Sequence, residues 1–133
     1  MIWGNRMAKV LGFDHVSLLV KDAEASLHFY QDLLGLSQLV RPPLGFPGYW
    51  LDLMNGQSLH LMQLDNPYAE VLRPKHGGRD LHFALRVASV EEFKTLLQQK
   101  GIGFTESRSG RKAIFVRDLD QNAFELFECP GRK

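Results

Sequence analysis

The apolar positions of this chain alternate, then recur at helical spacing, then alternate again, and the whole cycle runs twice. From Phe13 to Val20, one face carries Phe13, His15, Ser17 and Leu19 and the other Asp14, Val16, Leu18 and Val20, the pattern of a strand covered on both sides. Asp22 is placed to cap a helix whose stripe is Leu27, Tyr30 and Leu34, and Gly35 supplies a left-handed stop. Further strands are expected at Leu36 to Arg41, Tyr49 to Met54 and Ser58 to Leu64. Pro42-Pro43 ends the first, and Asn55-Gly56 turns between the other two. The second cycle opens at Leu81 to Val87, with His82, Ala84 and Arg86 on one face. A capping box follows at Ser89 to Glu92, then a helical stripe of Phe93, Leu96 and Leu97, then Gly101. Strands at about Gly103 to Arg108, Arg111 to Arg117 and Ala123 to Glu128 complete it, joined by Ser109-Gly110 and by the turn Asp118 to Asn122.

The cycle is therefore βαβββ, and the fold class is α+β with two such modules. Residues 1–11 read as an N-terminal extension and 12–128 as one domain. Within it, module one spans 12–64, a linker rich in proline and glycine 65–80, and module two 81–128; residues 129–133 form a tail.

Composition removes several classes of function. A chain of 133 residues buries a real core without staples, and a single cysteine, Cys129, admits no intramolecular disulfide. Lying beside Pro130 near the end, Cys129 is a poor candidate nucleophile. The net charge is +1 and the basic residues are scattered, so there is no footprint for nucleic acid. The start, MIWGNRMAKVLG, carries neither a long apolar run nor a small-residue cleavage site. No membrane association is expected, and a cytoplasmic location is.

Overlaying the two cycles pairs His15 with His82, and His60 of SLHLM with Glu125 of AFELF. Each lies within an apolar strand and projects away from the face that its sequence neighbours present to the helix layer. If the two modules face each other about a pseudo-twofold axis, three imidazoles and one carboxylate converge, a donor set suited to zinc, nickel, cobalt, manganese or ferrous iron. His28, in mid-helix, and His76, in the linker, have no counterpart in the other copy and are left out of the set.

The runs DHVSLLVKDAEASLHFYQDLLGL, DLHFALRV and FVRDLDQNAFELFE resemble the vicinal oxygen chelate superfamily. This group includes glyoxalase I, fosfomycin-resistance thiol transferases, extradiol dioxygenases and bleomycin-binding resistance proteins. The resemblance extends from about Gly12 to Glu128. It implies that the paired modules form an open, cupped mixed sheet with a divalent metal on the concave side; many relatives pair modules between two chains, so a homodimer is expected, with pairing within one chain or across two left open by the sequence. It also implies that His15, His82 and Glu125 are the three shared ligands and that His60 takes the more variable fourth position, which in glyoxalase I is usually glutamate. The late turn has Asp118, Leu119, Asp120, Gln121 and Asn122 where the family often has Asp-Pro-Asp-Gly-Asn. This is a change of turn geometry, since asparagine or aspartate can take left-handed positions.

A metal so held acts as a Lewis acid on a small-molecule substrate, with Glu125 and His60 as the candidate catalytic proton carriers. Tyr49, Trp50, Phe46 and Phe115 are candidates for an apolar wall, and Arg86, four residues beyond His82 on the same face, is a candidate partner for a substrate anion. Arg108 and Arg111 read as a solvated hairpin. The expected function is a metal-dependent, glyoxalase-like lyase or isomerase acting on an oxygen-rich or thiol-conjugated substrate. The alternatives are a ferrous ring-cleaving dioxygenase and a non-enzymatic drug- or metabolite-binding resistance protein.

Overall fold

The computed structural model describes residues 7–129, so Trp3 and the tail beyond Cys129 lie outside the described residues. Module one contains β1 (His15–Leu19), α1 (Ala23–Leu34), β2 (Gln38–Leu39), β3 (Gly48–Asp52) and β4 (Ser58–Met62). Module two contains β5 (His82–Val87), α2 (Val90–Lys100), β6 (Phe104–Glu106), β7 (Ala113–Arg117) and β8 (Ala123–Glu128). Each forms a four-stranded mixed sheet, in the orders β1-β4-β3-β2 and β5-β8-β7-β6. In both, the first strand runs parallel to the last and stands at the sheet edge.

The caps fall where the sequence placed them. The Asp22 carboxylate accepts from the Ala25 N–H and the Ser89 hydroxyl from the Glu92 N–H, while Gly35 and Gly101 end the two helices with φ of 66° and 68°. The strands are shorter than the alternation suggested: β1 begins at His15 rather than Phe13, and β2 is reduced to two residues. Phe13 is 60% exposed, and among the described residues no strand pairs with it.

One core joins the modules. Tyr30 of α1 is fully buried and its ring meets Phe124 of β8 at a centroid separation of 5.6 Å. Its hydroxyl donates at 2.7 Å to the buried carboxylate of Asp118, in the turn between β7 and β8. The same turn accepts from module one through Asp120, which takes the Lys21 N–H at 2.9 Å, and donates to it through Asn122, whose amide reaches the Leu19 carbonyl at 3.3 Å. In that turn Gln121, rather than an asparagine or aspartate, holds the left-handed conformation, with φ of 68°.

No helix among the described residues is long and apolar enough to cross a membrane.

Candidate metal centre

The two sheets place their polar side chains in the same register. In sheet one Ser17 lies opposite His60 and His60 opposite Trp50; in sheet two Ala84 lies opposite Glu125 and Glu125 opposite Phe115. Strand alternation turns these residues to the face away from the helices, while Leu59, Leu61, Phe124 and Leu126 go to the core.

In module two, His82 Nδ1 lies 2.9 Å from the Asp80 carbonyl. A carbonyl can only accept, so Nδ1 carries a proton, and in the neutral ring Nε2 holds the lone pair. That Nε2 is 3.4 Å from Glu125 Oε1. Two ligands about 2.0–2.1 Å from one tetrahedral ion stand about 3.3–3.4 Å apart, so the pair has the bite and the free lone pairs that a divalent transition ion requires. Asp80 is itself braced by Arg73 at 3.1 Å and Arg117 at 2.9 Å, which fixes the entry to β5. Phe115 meets His82 edge to face at 5.1 Å.

In module one, His15 Nδ1 is bonded to the Asp14 carboxylate at 2.7 Å, which again leaves Nε2 free. The His15 and His60 rings stack at 4.2 Å and His60 stacks on Trp50 at 4.2 Å. His60 Nε2 is within 2.9 Å of the Ser58 hydroxyl. Burial, and next the neighbouring His15, hold the His60 pKa below its ordinary value; Asp14 raises it and Arg41 lowers it further. Parallel rings direct their in-plane lone pairs along separate planes, so His15 and His60 as arranged do not address one ion together. Around them a cavity of about 880 Å³ opens, lined by Asp14, Trp50, Asp52 and Ser58.

The expected four residues are thus gathered as two pairs. Among the described residues no three His, Cys, Asp or Glu side chains of one chain come together to hold a metal. His15 stands on β1 and His82 on β5, the end strands of the two sheets among the described residues.

The remaining predicted site residues divide. Trp50 stacks on His60 and Phe115 lies edge-on to His82. Tyr49 does not join the wall: adjacent strand residues point to opposite faces, and with Trp50 beside His60, Tyr49 packs against the core. Phe46 sits in a loop, its carbonyl and ring both engaged by Arg41. Arg86 shares the His82 face but lines a different cleft, with Leu36, Leu53, Phe127 and Arg111, whose guanidinium lies 3.9 Å over the Phe127 ring. Cys129 lines that cleft as well. His28 is exposed near Glu24, 3.9 Å away.

His76, left out of the ligand set, packs beside it. The linker folds back through a short 3-10 turn, Gly77–Arg79, and seats His76 against Phe115 at 5.0 Å, one ring away from His82. The signal available in the sequence was the Gly-Gly pair directly after this histidine, which marks close backbone approach rather than a free linker.

Paired βαβββ modules, each a four-stranded mixed sheet with one helix, define the class of α+β fold to which this chain belongs. The family model of the Glyoxalase/Bleomycin resistance protein/Dioxygenase superfamily matches residues 12–126, and the chain belongs to that superfamily. The chain is 27% identical to Glyoxylase I 4 of Arabidopsis thaliana, over 87% of this chain and 70% of that protein. It is 24% identical to Metallothiol transferase FosB of Staphylococcus haemolyticus, over 88% of this chain and 83% of that protein. Among solved structures, the glyoxylase/bleomycin resistance protein/dioxygenase domain from Frankia sp. EAN1pec superposes with a TM-score of 0.71 at 26% identity, covering 93% of this chain and 100% of that one. A glyoxalase family protein structure from Bacillus anthracis gives 0.72 at 24% identity, covering 92% and 98%.

Proposed function

We propose that the protein is a divalent-metal-dependent, glyoxalase-like lyase, isomerase or thiol transferase whose site is completed across a homodimer. The observation that carries this reading is the His82 and Glu125 pair, with Nδ1–H held by the Asp80 carbonyl, Nε2 and Oε1 3.4 Å apart, and His82 on the edge strand β5. His15 of a second copy, oriented by its own Asp14, would supply the third ligand. The apolar residues that flank the edges, Phe13, Tyr68, Leu72 and Leu81, are each at least 60% exposed in one chain, a surface suited to covering by a second.

The bound metal would supply Lewis acidity toward two oxygens of a small substrate. Glu125 is the nearest carboxylate able to take up a proton, and His60, restrained by Ser58 and Trp50, stands in module one as the second carrier. Trp50 and Phe115 would form apolar walls that limit water. The name of one relative, a metallothiol transferase, supports a substrate that carries or accepts a thiol.

Elemental analysis of the purified protein tests the reading. About one metal per chain is expected in the wild type and none in His82→Ala or Glu125→Ala. Stoichiometric metal retained in either variant would overturn the site. A metal-free but ligand-binding wild type would favour the sequestering alternative instead.

A further inference from the structure

Across the face of sheet two that is turned from the helices, one row of side chains runs Ala84, Glu125, Phe115, Thr105. Thr105 stands on the outer strand, and its hydroxyl meets His76 Nδ1 at 2.6 Å. The His76 ring lies edge-on to Phe115, with centroids 5.0 Å apart and planes at 73°. Phe115 lies edge-on to His82 in turn. A single phenyl ring therefore separates His76 from a candidate metal ligand, well within the length of a small chelating molecule.

This placement depends on the glycines that follow it. A Cβ on Gly77 would meet Phe115 Cβ and Ala123 Cβ, both at 3.2 Å. A Cβ on Gly78 would sit 2.7 Å from His76 Nε2 and 3.1 Å from Phe115 Cζ. The missing side chains let the turn lie against Phe115 and leave room beside Nε2. Among the described residues nothing bonds that nitrogen, whereas Nδ1 is satisfied by Thr105. When the threonine hydroxyl donates to Nδ1, the ring proton resides on Nε2, which becomes a free donor.

The surroundings select the charge of what that donor meets. Partial burial, and then Arg108 and Arg79, lower the His76 pKa, so two guanidinium groups lie near the neutral imidazole. Neither arginine has a carboxylate partner among the described ion pairs.

We propose that His76, held by Thr105 and seated on Phe115, is a specificity-determining residue that contacts the substrate, its Nε2–H donating to an anionic oxygen distal to the chelating oxygens. The substrate class is then a small metal chelator bearing a separate carboxylate, phosphonate or phosphate. The proposal rests on the metal reading above, and the test separates the two.

Calorimetry on the zinc-loaded protein compares acetohydroxamate, a chelator with no distal anion, with the monohydroxamate of succinic acid, which carries one. A charge-assisted hydrogen bond in a cationic pocket predicts that the wild type binds the carboxylate-bearing probe about tenfold more tightly. His76→Ala should reduce that preference to below about threefold while zinc stoichiometry and acetohydroxamate affinity stay unchanged; His76→Gln, which keeps a donor, should restore part of it. Gly78→Ala should act like His76→Ala, by displacing the ring. A wild type without the preference, or a His76→Ala variant that keeps it, would overturn the proposal. A wild type that binds no zinc would instead overturn the metal reading beneath it.

Discussion

Replacing Tyr30 by phenylalanine removes one hydroxyl from the seam between the modules and leaves the ring in place. The Asp118 carboxylate accepts four donors: Tyr30 Oη at 2.7 Å, the N–H groups of Asp120 and Asn122 at 2.8 and 2.9 Å, and Asn122 Nδ2 at 3.0 Å. With three donors retained the carboxylate is not orphaned, so the loss is that of one hydrogen bond to a charged acceptor, about 1.5–2 kcal/mol. The contacts of the ring with Phe29 and Phe124 persist, so no cavity term adds to it. For a domain of this size that corresponds to a fall in Tm of about 5–10 °C. Urea denaturation should show a lower midpoint with an unchanged m-value, since the surface buried is the same. Burial first, and then Asp118, raise the Tyr30 pKa well above its ordinary value. A raised folded-state pKa contributes stability that is complete below about pH 10, where unfolded tyrosine begins to ionise, and that is lost as pH rises toward the folded value. The difference between wild type and Tyr30→Phe should therefore be constant up to about pH 9 and shrink above it. A change of less than about 0.5 kcal/mol, the size of an ordinary surface substitution, would refute the claim that this bond fastens module one to module two.

Three further outcomes follow from the same structure. If each metal site combines module one of one chain with module two of the other, mixing His15→Ala with Glu125→Ala should restore metal to one of the two sites per dimer; two metal-free parents that stay metal-free after subunit exchange would refute the shared site. Burial raises the Asp80 pKa, but hydrogen bonds from Arg117, Arg73 and the Leu81 N–H outweigh it and hold the carboxyl below its ordinary value. Asp80→Asn should thus cost about 1–3 kcal/mol above pH 4, and the gap to wild type should close as pH falls through the folded-state pKa; an equal gap at pH 2.5 and pH 7 in denaturation curves would contradict this. Gln121→Gly relieves a left-handed non-glycine residue and should raise stability by about 0.5–1 kcal/mol in thermal melts; a lower Tm would mean that the Gln121 side chain holds the turn.

Much of this arrangement was legible in the chain itself. Period-two alternation around His15, His60, His82 and Glu125 assigned those residues to one face, because that rule depends on backbone geometry alone. Asp22, Gly35, Ser89 and Gly101 marked both helices, because capping is local chemistry. The same rule, applied strictly, separates Tyr49 from Trp50, and the sequence reading erred by placing both in one wall. Tertiary structure decided what depends on contacts distant in sequence. The fold of residues 65–80 over Phe115 brought His76 to Thr105, 29 positions away. The attachment of α1 to the β7–β8 turn, through Tyr30 and Asp118, spans 88 positions, and among the described residues of one chain the two candidate pairs do not join into a group of three. A repeat in sequence specifies that two modules are alike. Only the packing between them determines whether their ligands meet, because module orientation is set by core contacts such as Tyr30 on Phe124 that no local pattern encodes.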